Sequence, residues 1–410
     1  MDLLSCCPFW PIKDGLPASY PPLERDVACD VAVVGAGITG ALVAWHLAEA
    51  GIDTVVLDRR EAAHGSTAGS TALLQYEIDT PLWKLEQQLD PTRARRAYHD
   101  CLGAVQRIGR LAKKLRIDCG LEAKGSLLLA RNRVHVGALR REFAARQAAG
   151  FDVEWWSRGE LTRRCSLPQP AALLSRRPQA AQVDAYALAY GLLAAAKAKG
   201  AAVHDRTAVV RHRTSARGVE LTTERGVRVR ARWLVVASGY EVDRFLPARV
   251  MDLHSTYALA SEPIAAFPGW PEDQPVIWET GDPYLYLRTT ADCRVIMGGY
   301  DDPFRDPRAR DRVLGAKVLA LRRRFGQLFP RIRLEVATAW AGTFGKTTDG
   351  LPFIGEHPAS PRTWFALGYG GNGITYSLLA AELFRERLTE GTKRDSDLYG
   401  FARQNMSRNT

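Results

Sequence analysis

An α/β fold with a parallel sheet, and length enough for a second domain, is predicted by three stretches of this 410-residue sequence. The apolar run Asp30-Val31-Ala32-Val33-Val34 opens through Gly35-Ala36-Gly37-Ile38-Thr39-Gly40 into an amphipathic run reaching Gly51. A second apolar strand, Thr54-Val55-Val56-Leu57, ends in the carboxylate of Asp58. Near the C-terminus another glycine-rich loop, Gly368-Tyr369-Gly370-Gly371-Asn372-Gly373, opens a helix at Ile374 and Thr375. Strand, G-x-G-x-x-G turn, helix and acid-terminated strand together make a dinucleotide-binding fingerprint.

Each position of the fingerprint has a physical role. Gly35 permits the tight turn, Gly37 lets the backbone approach a pyrophosphate, and Gly40 lets the helix pack closely on the strand. Ile38 and Thr39 open the helix, whose unpaired N–H groups and dipole favour the phosphates. Asp58 can hold ribose hydroxyls but would repel a 2′-phosphate, which selects FAD or NAD over NADP. The second glycine-led helix leaves a positive N-terminus for another electron-rich group. The N1–C2=O edge of an isoalloxazine is such a group, and an NAD enzyme has no need of it.

The remaining elements follow in order. The leader, with Pro8, Pro11, Pro17, Pro21 and Pro22, predicts no regular structure. The nucleotide motif takes about 28–80, and 83–117 reads as helix. Short strands at 125–131 and 151–156 flank a helix at 134–149. An apolar-periodic helix at 182–199 ends at Gly200, before a hairpin-like pair at 209–213 and 219–223 and a strand at 229–237. That strand closes on Leu234-Val235-Val236-Ala237-Ser238-Gly239, small residues where a buried parallel strand would meet a ligand. Residues 251–300 and 334–367 are strand-rich, and the helix at 374–389 is stopped by Gly391.

Composition narrows the class. At 46% hydrophobic and 25% charged the chain reads as globular, and the uncharged stretch 31–48 is broken by glycines, Thr39 and His46, so no membrane span is expected. Residues 1–13 show neither a basic cluster nor an apolar run, so no signal peptide is expected and the protein reads as cytoplasmic. Seven cysteines without a C-x-x-C pair predict neither a disulfide framework nor a metal site. The net charge of +11 is mostly arginine, dense at 93–116 and 305–333. These arginines alternate with Leu102, Val105, Ile108, Leu111 and Leu115 at helical spacing, as solvated helix faces do, so nucleic acid is not the expected partner.

Four further motifs, in order, carry a family resemblance: Gly65-Ser66-Thr67-Ala68-Gly69-Ser70-Thr71-Ala72, the 234–239 strand end, Thr348-Asp349-Gly350-Leu351-Pro352-Phe353-Ile354-Gly355, and the 368–373 loop. With the fingerprint they resemble the D-amino-acid oxidase superfamily over about 25–392, and within it the glycine/sarcosine oxidase branch of FAD-dependent oxidoreductases. The resemblance implies a Rossmann-like FAD-binding domain (1–82, 175–247, 335–410) interleaved with an α+β, mixed-sheet substrate domain (83–174, 248–334). It assigns Asp58 and Arg59 to the adenosine end and Val209 to adenine, and Ser238 and Gly239 of the 234–239 motif are counted among the cofactor-binding residues. Ser66, Thr67, Thr71, Ala72 and Leu73 would line the path to the flavin, and Gly371, Asn372, Gly373, Ile374 and Thr375 would cover its pyrimidine edge.

Departures from the family pattern make this member distinct. Gly342 stands where sarcosine-oxidase-like enzymes attach flavin through cysteine, and Cys293 lies elsewhere, so non-covalent FAD is expected. Phe344 replaces the substrate-binding arginine of glycine oxidases, Thr375 a basic residue of sarcosine oxidases, and Met297 the lysine that assists oxygen. Glycine and sarcosine are therefore expected to be poor substrates, and O₂ a slower electron acceptor than a dye or quinone.

The implied chemistry removes a hydride from the carbon bearing an amine, with the flavin supplying the reactive atom. Tyr284 is the expected substrate contact, with Tyr286 on the same strand face, or else a packed sheet tyrosine. Arg288 shares that face as an anion anchor or a structural residue, and Lys346 lies near the flavin or on a solvated turn. Gly345-Lys346-Thr347 is no P-loop, because Trp340 occupies the place of its first glycine. Gln75 and Tyr76 are further pocket candidates. Two alternatives keep the same cofactor: oxidation of an alcohol or 2-hydroxy acid, and an RNA-associated flavoprotein, which no aromatic-basic motif supports.

Overall fold

The computed structural model describes residues 3–246, 249–391 and 396–405. Among them, two sheets form the frame. The first has eight strands, in the order Phe353–Glu356, Thr363–Leu367, Arg228–Val236, Val27–Val34, Thr54–Leu57, Ala202–His204, with the Val209–Ser215 and Gly218–Thr223 hairpin added beside Arg228–Val236. Its centre is parallel: Val31 pairs with both Thr54 and Trp233, and Leu234 with Thr363. The central strands are apolar because both faces are covered. Helices Ile38–Glu49, Ala185–Ala198 and Gly373–Glu390 pack together on one side, around Leu42, Val43, Leu188, Leu192 and Leu378.

The second sheet has ten strands and mixed direction. Its core order is Val336–Lys346, Asp252–Ser261, Val295–Asp302, Leu285–Thr289, Val276–Glu279, Glu122–Leu129, Ala171–Gln182. Because side chains alternate across a strand, Leu285, Leu287, Val295 and Met297 pack on one face with Leu321 and Phe325 of the Pro307–Leu328 helix. The opposite face carries Tyr286, Gly298 and Ile296 toward the first sheet and its helices.

Several expectations need correction. The leader is structured: Leu4–Cys6 is a strand and Phe9–Asp14 a helix. Pro11 sits in that helix's first turn, where an amide hydrogen has no intrahelical acceptor, so it breaks nothing. The helix expected over 83–117 is two, Leu82–Gln88 and Pro91–Lys114. Pro91 restarts the chain, and Asp90 caps the second helix by accepting from the amide of Arg93 at 2.9 Å. The expected helix 182–199 begins only at Ala185, because Ala171–Gln182 is a strand whose alternation is hidden by Arg176, Arg177 and Pro178. Arg310 is no solvated helix residue: it is fully buried and donates to Ser5 Oγ at 2.8 Å and Thr343 Oγ1 at 3.1 Å.

Chain segments alternate between the two sheets. Leu4–Cys6, Leu73–Gln75 and Val336–Lys346 all belong to the mixed sheet, so the expected domain bounds at 82 and 335 do not coincide with a change of sheet. The bounds at 247 and 410 lie outside the described residues. Among the described residues no helix is long and apolar enough to cross a membrane, and no three His, Cys, Asp or Glu side chains are grouped to hold a metal.

Candidate active site

A single cavity of about 1330 Å³ runs between the two sheets, larger than the pockets that hold drug-sized ligands. At one end its wall is the fingerprint. Gly35 has φ 110°, and a Cβ there would lie 2.3 Å from the carbonyl oxygen of Ala237. A Cβ on Gly40 would fall 1.8 Å from the carbonyl oxygen of Gly35, so the first helix docks on its own entry turn as the fingerprint requires. Thr67 Oγ1 accepts from the Ile38 amide at 2.9 Å, and Thr39 Oγ1 lies 2.7 Å from Ser377 Oγ, which ties the two glycine-led helices together.

Asp58 closes this end. Its carboxylate accepts from the amides of Ala36 at 2.6 Å and Arg60 at 2.9 Å. Enclosure by protein pushes the carboxyl up from its usual range, and those two amides oppose the shift. Arg59 and Arg60 both pair with Glu241. On the far side Asn372 donates through Nδ2 to the carbonyls of Gln75 at 3.0 Å and Glu77 at 2.9 Å, and so fixes the second glycine loop against the 73–77 segment.

The roof is chemically different. Lys346 Nζ lies 3.7 Å from Asp301 Oδ2, 5.0 Å from the Phe344 ring centre and 5.5 Å from that of Tyr284. The Tyr284 and Tyr286 rings are 5.8 Å apart, and the Tyr286 hydroxyl covers Gly298, where a Cβ would meet it at 2.5 Å. Asp79 faces the cavity beside the second glycine loop, 3.3 Å from the amide of Gly371. Although exposed to the cavity, its carboxyl is pushed up from the usual range by desolvation at the wall, while the positive charge of Lys346 and the Gly371 amide pull it back. Asp301 is likewise raised by burial and opposed by Thr256 and Lys346. Burial pushes the Tyr286 phenol up to about 12 and carries that of Tyr284 well above its usual value.

Most of the residues singled out from the sequence meet in this cavity. Gly35, Gly37, Ile38, Thr39, Asp58, Arg59, Ser66, Thr67, Thr71, Ala72, Leu73, Val209, Ser238, Gly239 and 371–375 line it, as do Gln75, Tyr284, Phe344 and Lys346. Gly40 stands behind the wall, as its packing role demands. Thr375 Oγ1 is spent on the Asn372 carbonyl at 2.8 Å.

Arg288, Met297 and Tyr76 are corrections. Arg288 shares the face of Tyr284 and Tyr286 but is buried, donating from Nε to the Thr71 carbonyl and from Nη2 to the Val183 carbonyl, both at 2.8 Å. With Nε and Nη2 held on backbone carbonyls and the side chain absent from the cavity wall, it is not placed to anchor a substrate anion. Met297 pairs with Leu287 on the face covered by the Pro307–Leu328 helix, away from the cavity; its neighbour Gly298 lies on the opposite face, under the Tyr286 hydroxyl. Tyr76 stacks on Phe151 at 4.5 Å, outside the cavity.

The sequence reading missed Asp79, Glu77, Glu142, Arg146 and Asp301. Period-two spacing from Gln75 would have found Glu77 and Asp79. Arg146 and Glu142, four apart on a helix, look like an ordinary surface pair. They are instead buried, with Arg146 bonded to Glu142 at 2.7 Å and Glu77 at 3.0 Å.

These residues fit FAD. Two glycine-led helices open on one cavity of about 1330 Å³, Gly35 and Gly40 of the fingerprint leave no room for a Cβ, and the acid Asp58 stands at the same end. Comparison with known proteins agrees. The profile of the family described as DAO, FAD dependent oxidoreductase, matches residues 30–387. The chain is 29% identical to the glycine oxidase of Geobacillus kaustophilus over 371 residues, 88% of this chain and 94% of that one. It is 27% identical to the gamma-glutamylputrescine oxidoreductase of Escherichia coli over 401 residues, 92% and 87% of the two chains. The crystal structure of the Geobacillus glycine oxidase superposes with a TM-score of 0.76 at 24% identity, covering 91% of this chain and 98% of that one. That of the L-proline dehydrogenase from P. horikoshii gives 0.75 at 18%, covering 94% and 99%. These two likenesses speak to the fold.

Proposed function

The chain belongs to the DAO family of FAD dependent oxidoreductases, and from that premise we propose that it oxidises the C–N bond of an amine, with Asp79, Lys346 and Tyr284 handling the substrate. One observation carries this reading: a dinucleotide end and a titratable end, Asp79 with Lys346, share a single cavity.

Bound FAD supplies the acceptor for a hydride from the carbon bearing nitrogen, which leaves an imine for water to hydrolyse. Asp79 Oδ accepts the proton of the incoming ammonium, so that the nitrogen lone pair is free to assist the loss of hydride. Its raised carboxyl makes it a better base than an ordinary aspartate. Lys346, beside Asp301 and the two rings, keeps Asp79 ionised over more of the pH range. Tyr284 and Phe344 supply apolar walls that exclude water from the reacting carbon.

The charge balance favours an amine without an α-carboxylate. Asp301 is paired with Lys346, which leaves Asp79 facing the cavity at the roof, and Phe344 and Thr375 bring no cation. The E. coli relative carries the name gamma-glutamylputrescine oxidoreductase. A second reading, a bulky amino acid whose carboxylate meets Lys346, is supported by the exposure of that side chain to the cavity. Glycine and sarcosine are poor substrates under both readings.

FAD is held non-covalently. Gly342 lies at the cavity wall, and no cysteine lines it among the described residues. Acid precipitation should release all the flavin; colour left in the pellet would contradict this. The reading as a whole is tested by the absorption spectrum of the purified protein under anaerobic titration with primary amines, secondary amines, amino acids and hydroxy acids. Bleaching by amines supports it, and bleaching by hydroxy acids alone overturns it.

A further inference from the structure

The cavity wall at 69–72 is held carbonyl by carbonyl. Gly69 O accepts from Trp340 Nε1 at 2.9 Å, Ser70 O from Trp10 Nε1 at 2.7 Å, Thr71 O from Arg288 Nε at 2.8 Å, and Ala72 O from the Val183 amide at 3.3 Å. Ala72 has φ 54°, a left-handed conformation that a residue with a Cβ keeps only when its surroundings impose it. Two of the four anchors involve Trp10, directly at Ser70 and through Arg288, whose guanidinium lies 5.3 Å from the Trp10 ring.

Trp10 belongs to an arm, residues 3–15, that precedes the span 30–387 matched by the family. The arm is attached along its length. Leu4–Cys6 pairs antiparallel with Val336–Lys346, Leu4 opposite Gly342 and Cys6 opposite Trp340. The Thr343 amide donates to Leu3 O at 2.9 Å and Thr338 Oγ1 to Cys7 O at 2.7 Å. Farther on, Lys13 Nζ reaches Asp184 at 3.0 Å and the Tyr186 hydroxyl donates to Gly15 O at 3.0 Å.

Leu3 and Leu4 themselves line the cavity. A Cβ on Gly69 would lie 2.4 Å from Leu4 Cδ2, and one on Gly342 would lie 3.6 Å from it. Leu4 thus fills the space these two glycines leave open.

We infer that residues 3–15 are a clasp of the cofactor site: Leu4 completes its wall and Trp10 pins the 69–72 segment, so that the arm's attachment sets how long FAD stays bound. This rests on the reading of the cavity as the FAD site. Arg288, unavailable to substrate, acts here as a positioning residue shared between the arm and the wall.

The test uses the full-length holoenzyme and the rate at which FAD leaves on dilution, followed by the rise in flavin fluorescence. Trp10→Phe keeps the ring over Arg288 and removes the single N–H donor. Leu4→Ala empties the space beside Gly69. Each should release FAD about two- to tenfold faster than the unaltered protein, the factor expected for one hydrogen bond or a partial loss of packing. The melting temperature of the FAD-free forms should change little. Release at the unaltered rate in both variants overturns the clasp, as does a fall in the FAD-free melting temperature with release unchanged, which marks a merely structural arm. An unaltered protein that holds no FAD would instead overturn the reading of the cavity.

Discussion

At the nucleotide end the cavity walls are mostly main chain: Gly35 against Ala237, Gly40 against Gly35, and amides around Asp58. At the roof they are side chains: Phe344, Lys346 and Tyr286 on strands and Tyr284 and Asp79 on the segments beside them, where the backbone could display many other residues. A wall of main chain fixes where a common cofactor lies and tolerates no added atom. A wall of side chains leaves the scaffold intact under substitution and decides what reacts. The two ends should therefore fail differently: changes at the first cost cofactor and fold together, and changes at the second cost turnover with the cofactor retained.

The largest effect is expected from Gly40→Val. The added carbon would meet a backbone oxygen at 1.8 Å, which no rotamer change relieves. Destabilisation of at least about 3 kcal/mol and loss of bound flavin should follow. Thermal melting and the ratio of flavin to protein absorbance measure both, and a flavin-replete variant with unchanged melting would break the comparison at this end.

Asp79→Asn comes next. Removing a proton acceptor should slow flavin reduction by an amine about 10²- to 10⁴-fold with FAD content unchanged. Asp79 must be ionised to act, and its carboxyl titrates above the usual aspartate range. The reduction rate of the unaltered protein should therefore rise with pH through that raised value, and the acid limb should vanish in Asp79→Asn. Lys346→Met sharpens the point. The lysine charge pulls Asp79 down, so without it the acid limb should move to higher pH. A limb that stays in place, or moves down, would separate Lys346 from Asp79. The smallest effect belongs to Asp58→Ala. Losing charge-assisted bonds to the ribose should weaken FAD by about 1.5–3 kcal/mol, read as a raised dissociation constant in flavin titration of the apoprotein.

What could be read from the sequence follows the same division. Gly35, Gly37, Gly40 and Asp58 were legible because main-chain geometry admits few residue types at fixed spacing. Met297 shows how a strand position is decided by its face, which changes with every residue: its side chain lies under the Pro307–Leu328 helix while its neighbour Gly298 lies on the opposite face. Arg288 was placed on the correct face, yet its hydrogen bonds run to Thr71 and Val183, partners 217 and 105 residues away that no local pattern discloses. Asp79 went unnoticed because an exposed carboxylate in a bend looks like any surface acid until the tertiary structure sets it at the cavity wall beside the Gly371 amide. The leader concealed its helix and strand for the opposite reason: its prolines look prohibitive, although Pro11 stands at a position that needs no donor.

The central claim, that one cavity joins a cofactor end to a separable amine-handling end, is tested most directly by anaerobic rapid mixing of the yellow protein with a reactive amine across pH. The unaltered protein should bleach at a rate that rises with pH, and Asp79→Asn should carry the same flavin content yet bleach slowly at every pH. Equal, pH-matched bleaching of the two proteins would contradict the account.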